Sequence, residues 1–165
     1  PEKEHPKVMT LGGKDRIDYD KDDIIVLKEL AKNVRTPIIS IAKKIGKSPQ
    51  SVARRIKNLE KNGVIQGYRP LFNWDLLGYL YFKIDVHLED YKRKEEMFQF
   101  CRQHPNIIQV NQVIGGSDFE FEIFAKDKKQ FQLIMQNFQS KFSDVITNYD
   151  YFTVKKPYKE TFMAL

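Results

Sequence analysis

Residues 48–63 read SPQSVARRIKNLEKNG, and this stretch decides the fold because it predicts one basic helix with both ends marked. Ser48 is a good N-cap, since its hydroxyl accepts hydrogen bonds from the free backbone N–H groups of the first turn. Pro49 suits the first helical position, where a missing N–H costs nothing. Gly63 suits the left-handed residue just past the end. We therefore expect a single helix between Ser48 and Gly63.

The two faces of this helix differ in character. Its narrow apolar face carries Val52, Ile56 and Leu59 at helical spacing. The opposite face is cationic and polar, with Gln50, Arg54, Lys57 and Lys61 at its centre and Ser51 and Asn58 beside them. A helix that lies in a DNA major groove needs such a face. The alternative is the solvated surface of an ordinary amphipathic helix.

Two shorter helices are predicted before it. Asp20 can cap a helix that runs to about Lys32, and Thr36-Pro37 repeats the cap-plus-proline start of a second helix. Their expected inner faces are Val26, Leu27, Leu30 and Val34 for the first helix, and Ile38, Ile41, Ala42 and Ile45 for the second. Gly46 ends the second helix, and only Lys47 separates it from Ser48. This order predicts a helix-turn-helix, with the first helix completing the core.

The net charge of +6 is unevenly placed along the 165 residues. Residues 1–75 carry a net charge of +6 and residues 76–165 a net charge of zero. Residues 43–69 hold eight basic side chains against the single acidic Glu60. This asymmetry predicts a polyanion as partner for the N-terminal half alone.

The second half changes its period from helix to strand. Alternation predicts a strand over 80–88, and further strands are expected at 107–114, 119–125 and 145–155. Helices are predicted at 92–102 and 128–142, so the order βαββαβ indicates a ferredoxin-like sandwich with both helices on one sheet face. We expect the other face to carry five aromatic residues, which a second subunit would cover: Tyr79, Tyr81, Phe124, Tyr149 and Tyr151. Stacking of RNA bases on this face is the alternative.

The predicted fold is thus α+β, a (winged) helix-turn-helix domain followed by a ferredoxin-like domain. We expect a flexible arm at 1–16, the DNA-binding domain at 17–69, a linker at 70–78, the ferredoxin-like domain at 79–157 and a tail at 158–165. Residues 64–69 are predicted to form a short strand or small wing. Trp74 and Leu77 of the linker are apolar enough to pack against the protein. No apolar run is long enough for a membrane span and no secretory signal is evident, so we expect a cytoplasmic protein with no membrane partner.

Several stretches resemble the Lrp/AsnC family, the leucine-responsive or feast/famine transcription regulators. Residues 54–68 read RRIKNLEKNGVIQGY and are the most similar to the family. Residues 114–119 read IGGSDF and resemble the family's glycine-x-x-aspartate turn. The resemblance covers about residues 19–155. Departures are the basic, aromatic run at 155–159, an unusually aromatic strand at 119–124, and Asn148 and Asp150, expected to interrupt the inner face of the last strand.

The resemblance implies a transcription regulator that forms a dimer through its sheet faces, or a tetramer or octamer, and binds a pseudo-palindromic site on double-stranded DNA. It also implies an amino acid or related effector at Gly115, Gly116, Ser117 and Asp118. A glycine turn can hold a carboxylate with its backbone N–H groups, and Asp118 can pair with an ammonium group. The bland alternative is an ordinary turn, in which Asp is common.

The predicted DNA-binding residues divide by role. Gln50, Ser51 and Arg54 are expected to reach base edges, and Arg55, at the shoulder of the apolar face, to reach a phosphate or pack its stem. The full set is Lys43, Lys47, Ser48, Gln50, Ser51, Arg54, Arg55, Lys57, Asn58 and Lys61. Lys44 is a further expected phosphate contact.

Catalysis has little support in the sequence. There is no Cys/His spacing for zinc, no phosphate loop and no nucleophile elbow, so we predict no catalytic residues, metal or cofactor. Cys101 is expected to pack in the core. Two alternatives stay open: a ligand-sensing oligomer with a vestigial DNA-binding domain, and an enzyme similar to the siroheme decarboxylases.

Overall fold

The computed structural model describes residues 16–155, so the predicted arm (apart from Arg16) and the predicted tail lie outside the described residues. Within this range the chain divides between Leu71 and Phe72 into two compact units. The N-terminal unit is helical and the C-terminal unit is built on one sheet.

Three helices form the N-terminal unit: α1 (Lys21–Lys32), α2 (Ile38–Ile45) and α3 (Pro49–Lys61). Asp20 caps α1 in a capping box, because its carboxylate accepts from the Asp23 amide at 2.9 Å and its own amide donates to the Asp23 carboxylate at 3.1 Å. Ser48 caps α3, where its Oγ accepts from the Ser51 amide at 3.2 Å. The predicted bounds of the three helices are confirmed.

The core of this unit is small. Its fully buried side chains are Val26, Ile41, Ala42, Val52 and Leu59, against which Ile56, Ile65 and three other apolar residues pack. Two residues expected in this core are instead exposed: Val34 by 47% and Ile38 by 39%. The predicted Thr36 cap is also wrong, since the Thr36 hydroxyl donates to the Asn33 carbonyl and Pro37 begins α2 without a side-chain cap.

We predicted a short strand or a small wing over 64–69, and the segment there does not form a strand. It has no sheet partner among residues 16–155, and an isolated strand has nowhere to place its backbone hydrogen bonds. Ile65 packs on the helical core, and the Tyr68 hydroxyl donates to Glu60 Oε1 at 2.9 Å. In the linker, Asp75–Leu77 is a short 3-10 helix, and Leu77 is 59% exposed rather than packed.

Four antiparallel strands build the C-terminal unit in the order β2-β3-β1-β4. The strands are β1 (Leu80–Leu88), β2 (Ile107–Asn111), β3 (Phe119–Ala125) and β4 (Ile146–Val154). Helix α4 (Lys94–Gln103) follows β1 and helix α5 (Lys128–Lys141) follows β3, which confirms the predicted βαββαβ sandwich. Strand β2 is shorter than predicted, because it ends at Asn111 and leaves Ile114 fully exposed.

Both helices pack on one face of this sheet, which we call the inner face. Phe82, Ile84 and Val86 alternate into a core with alternate residues of β3 and with the apolar faces of α4 and α5. Cys101 of α4 is 2% exposed and has a free thiol, and burial raises the pKa of that thiol. Its packing role is confirmed.

The side chains of β4 lie on the opposite sheet faces to those we predicted. Tyr149 pairs with Val86 and Tyr151 with Ile84, so both tyrosines lie on the inner face. The Tyr151 ring centroid lies 4.9 Å from that of Phe131 in α5. Asn148 and Asp150 therefore belong to the outer face and interrupt nothing inside. Side chains alternate along a strand, so an error of one residue in the frame exchanges its two faces.

Candidate DNA-binding face and glycine turn

The polar face of α3 is open to solvent. Its predicted DNA-contacting residues Gln50, Arg54, Lys57, Asn58 and Lys61 are all exposed, and Ser51 is half-buried in the first turn. The opposite side holds α3 to its own domain through the buried Val52 and Leu59. One side of α3 therefore packs against its own domain, and the opposite side is free to contact DNA.

The turn before α3 sets where this face points. Gly46 adopts φ +64° and ends α2, and the Lys47 amide donates to the Ala42 carbonyl at 3.0 Å. A side chain at Gly46 would strain this left-handed conformation. Lys43 and Lys47 are exposed beside the turn, so α2, the turn and α3 each carry exposed cations.

Ion pairs inside the N-terminal unit distinguish cations that are free to bind a ligand from cations that already pair with a carboxylate. Within residues 16–155, no carboxylate lies within ion-pairing distance of Arg54, Lys57 or Lys61. In contrast, Lys44 Nζ lies 2.7 Å from Glu29 Oε1. We therefore remove Lys44 from the expected phosphate contacts, because its charge is compensated inside the domain.

Arg55, for which a phosphate contact and packing against its own domain were both expected, is paired within the domain. Its Nη1 donates to Asp23 Oδ1 at 2.7 Å and to Asp20 Oδ1 at 2.9 Å, and its Nη2 lies 3.3 Å from Asp22 Oδ2. These contacts with Asp23 and then Asp20 raise the pKa of Arg55. The side chain is only 23% exposed. The guanidinium thus joins α3 to the start of α1, and we no longer assign Arg55 to a phosphate.

The predicted ligand turn between β2 and β3 is built on two left-handed glycines. Gly115 has φ +83° and Gly116 has φ +77°. Ser117 is 8% exposed, and its hydroxyl donates to Glu120 Oε1 at 3.2 Å. The Asp118 amide donates to the Val86 carbonyl at 3.0 Å, which fixes the end of the turn against β1.

The Asp118 carboxylate is already engaged within the protein. Its Oδ2 accepts from the Leu88 amide at 2.9 Å and its Oδ1 from the Tyr91 hydroxyl at 2.6 Å. These two donors, in that order, lower the pKa of Asp118. The carboxylate therefore anchors the turn, and only its remaining lone pairs could meet an ammonium group.

The outer sheet face carries a row of carboxylates that sequence reasoning missed. Asp85 of β1 stands directly opposite Glu120 of β3 and Asp150 of β4. Burial, followed by the charges of Glu120 and Asp150, raises the pKa of Asp85. His87 Nε2 lies 3.6 Å from Asp150 Oδ2. No local pattern signals this row, because it depends on the pairing of three strands.

Part of this row lines a depression of about 250 Å³. Glu122 is 7% exposed in its floor, where it accepts from the Tyr81 hydroxyl at 2.5 Å and pairs with Lys83 Nζ at 3.0 Å. The depression is also lined by Asp85, Asn111, Glu120 and Phe152. It is polar and contains no nucleophile activated by a base.

Residues 16–155 contain no group of three or more His, Cys, Asp or Glu side chains placed to hold a metal ion. No helix in this range is both long enough and apolar enough to cross a bilayer.

Known DNA-binding regulators are similar to this chain in sequence. A family profile described as winged helix-turn-helix DNA-binding matches residues 20–66. The proline dehydrogenase transcriptional activator of Rhodobacter capsulatus is 31% identical over 119 residues, covering 70% of this chain and 77% of that protein. The leucine-responsive regulatory protein of Rhizobium meliloti is 29% identical over 126 residues, covering 71% and 77%.

Solved structures agree on the fold. AsnC of E. coli superposes with a TM-score of 0.76 at 19% identity, covering 87% of this chain and 97% of that one. The transcriptional regulator NMB0573 of Neisseria meningitidis, in complex with L-Met, gives a TM-score of 0.75 at 24% identity, covering 88% and 95%. The two-unit arrangement along the chain is therefore shared with these structures.

Proposed function

Since this chain belongs to the Lrp/AsnC family of DNA-binding transcription regulators, we propose that α3 is the helix that reads its operator. The observation that carries this proposal is the exposed face of α3, whose cations have no internal partner among the described residues while Lys44 and Arg55 do. Unpaired, solvated cations opposite a buried stripe are the residues that can neutralise DNA phosphates.

Roles within this face follow from position along the helix. Gln50 and Ser51 lie in the first turn, and Arg54 follows one turn later on the same exposed side. The N-terminal residues of a recognition helix approach base edges most closely, and arginine can pair with guanine through two hydrogen bonds. We assign phosphate contacts to the exposed side chains that flank them: Lys43, Lys47, Lys57, Asn58 and Lys61. Ser48 lies beside these residues, where its hydroxyl caps the start of α3.

The Arg54→Ala variant tests this assignment. The probes are a duplex that the wild-type protein selects from a random-sequence library, and poly(dI-dC) as non-specific duplex. We expect affinity for the selected duplex to fall about tenfold or more, in line with loss of one good base contact. Affinity for poly(dI-dC) should fall much less, because non-specific binding loses only the attraction of one positive charge to the phosphates. Unchanged discrimination between the two duplexes would refute the role of Arg54 as a base reader.

We further propose that two copies associate through the outer sheet face. Phe152 is 57% exposed there. The same face carries Phe124, whose ring centroid lies 4.4 Å from that of Trp74. An exposed aromatic side chain such as Phe152 favours a partner. The carboxylate row on the same face is unfavourable to a like-charged partner, so cations or protons must balance it on association. Two copies would present two α3 helices to a pseudo-palindromic site.

The glycine turn is proposed as the effector site. The left-handed Gly115 and Gly116 can present backbone N–H groups to a carboxylate, as consecutive turn amides do in anion-binding nests. The Neisseria meningitidis regulator was solved with L-Met, which supports an amino acid as ligand. Asp118 serves this site first by holding the turn in place. Titration calorimetry with a panel of amino acids tests the proposal, and no heat of binding from any of them would contradict it.

A further inference from the structure

The strongest unexplained feature is the cluster of Arg55 with three aspartates at the start of α1. One guanidinium faces Asp20, Asp22 and Asp23 at distances from 2.7 to 3.3 Å. The cluster therefore keeps a formal excess of two negative charges in a domain that must approach a polyanion. Such an excess opposes DNA binding through long-range repulsion, so the aspartates need another reason to be there.

Part of that reason lies in α1 itself. Asp20 and Asp23 satisfy the free amides of the helix start, and negative charge there interacts favourably with the helix dipole. The Asp22 charge also lies in this first turn, but its side chain makes no cap and meets Arg55 Nη2 instead. Helix-start chemistry does not account for the half-buried arginine, which comes from a helix more than 30 residues away along the chain.

A contact of this kind can restrict how α3 rotates about its own axis. The buried residues of α3 lie on one narrow face, and such a face alone permits the helix to roll. Arg55 leaves the helix at the shoulder of the apolar face, about 60° around the axis from Val52. Its planar fork binds carboxylates at the start of α1 from two nitrogens. This directional attachment beside the apolar contacts resists rolling.

Small rolls matter for base reading. A side chain about 6 Å from the helix axis moves by about 2 Å when the helix rolls by about 20°. A paired base contact requires its groups to be held within about 0.5 Å. Arg54 precedes Arg55 directly and lies about 100° around the helix from it. Fixing Arg55 therefore fixes the direction in which Arg54 leaves the helix.

We infer that Arg55 is a positioning residue for operator recognition, which locks the rotation of α3 against the Asp20–Asp22–Asp23 cluster so that its neighbour Arg54 meets base edges. This inference rests on the proposed reading role of α3. It assigns the acidic start of α1 to sequence specificity, although none of these aspartates contacts DNA.

The experiment compares binding of variants to the selected duplex and to poly(dI-dC) over a series of salt concentrations. Arg55→Lys keeps the charge but loses the planar fork, and Arg55→Gln loses both. A positioning role predicts that both variants lose about tenfold in affinity for the selected duplex. Binding to poly(dI-dC) should change less than twofold, and the salt slope should match that of the wild type. The control Lys57→Gln should weaken both duplexes and reduce the slope by about 0.9, as one lost phosphate contact does.

The aspartates give a test of opposite sign. Asp22→Asn removes a negative charge without touching a cap, so simple electrostatics predicts tighter binding to every duplex. The positioning role predicts weaker binding to the selected duplex and equal or tighter binding to poly(dI-dC). Asp18→Asn is the matched control, because Asp18 is exposed and lies outside the cluster. It should not weaken binding to the selected duplex.

Each outcome decides the question. If Arg55→Gln lowers the salt slope by about one and weakens both duplexes alike while Arg55→Lys binds normally, Arg55 is a phosphate contact and the inference is wrong. Normal discrimination in all of these variants would also overturn it. Thermal melts by circular dichroism identify any unfolded variant, and Arg55→Lys and Asp22→Asn then carry the test. An unchanged Arg54→Ala variant would instead refute the reading role of α3 itself.

Discussion

Replacing Asp118 by alanine tests the anchoring of the glycine turn. The substitution removes the acceptor of the Leu88 amide at 2.9 Å and of the Tyr91 hydroxyl at 2.6 Å. A hydrogen bond to a charged group contributes about 1.5–3 kcal/mol when shielded, and less where water competes. Tyr91 is 56% exposed, so most of the loss comes from the half-buried Leu88 amide. We expect the free energy of unfolding of the C-terminal unit to fall by about 1 kcal/mol, or about 4–8 °C in melting temperature.

The sign of the pH dependence follows from the lowered pKa of Asp118. A carboxyl whose pKa is lower in the folded state than its ordinary value of 3.8 stabilises the fold above that value. The contribution is lost as the pH falls through the folded-state pKa. The difference between wild type and Asp118→Ala should therefore be full at pH 7, shrink as the pH falls below 3.8 and be lost below the folded-state pKa.

The assay can observe this unit selectively, because Trp74 is the only tryptophan of the chain. Its ring packs on Phe124 in the C-terminal unit, so its fluorescence during urea unfolding reports that unit alone. Tyr91→Phe, which removes only the exposed donor, should lose less than Asp118→Ala. A stability loss that is absent at pH 7, or that does not decrease as the pH falls below 3.8, would refute the anchoring role. Loss of an effector response in Asp118→Ala would then need to be separated from this loss of stability.

Two further predictions concern the outer sheet face. Asp85→Asn should raise the stability at pH 7 by about 0.5 kcal/mol, because it removes two like-charge cross-strand pairs. The pKa of Asp85 is raised, so its charged form lowers the stability of the fold above the folded-state pKa. The gain in Asp85→Asn should therefore vanish below about pH 3.8. Urea titrations at pH 7 and below pH 3.8 measure the difference. Phe152→Asp should convert the proposed dimer to a monomer in sedimentation equilibrium, whereas Leu133→Asp, at an exposed position of α5, should leave the mass unchanged. Equal masses for the two variants would place the interface elsewhere.

Local signals predicted most of the elements. The Ser48 cap, Pro49 and Gly63 mark both ends of α3 within a few residues, and Gly46 marks the turn before it. These signals work at short range, because caps and left-handed glycines satisfy backbone groups of their own helix. Alternation along β1 likewise assigned each side chain to the correct face, because its apolar residues occupy one set of alternate positions and the other set is mostly polar.

Strand β4 shows where local pattern is insufficient. Its sequence ITNYDYFTV places tyrosines in one frame and Phe152 and Val154 in the other, so both frames carry apolar residues. Pairing with β1 selects the frame, because Tyr149 stands opposite Val86 and Tyr151 opposite Ile84. The same pairing creates the Glu120–Asp85–Asp150 row. The aromatic outer face that we expected is accordingly smaller and far more acidic.

The sequence by itself determined the order and bounds of the helices, the cationic face of α3 and the glycine turn, since each depends on residues a few positions apart. Only the tertiary structure decided which cations remain free. Arg54 and Arg55 are neighbours of the same type, yet folding brings three carboxylates to Arg55 and none within ion-pairing distance of Arg54 among the described residues. Those carboxylates lie more than 30 residues earlier, and their approach depends on the packing of α1 against α3. Sequence periodicity cannot reveal charge partners that packing brings together. Here those partners distinguish Arg54, the proposed reader of DNA bases, from Arg55, the proposed positioning residue.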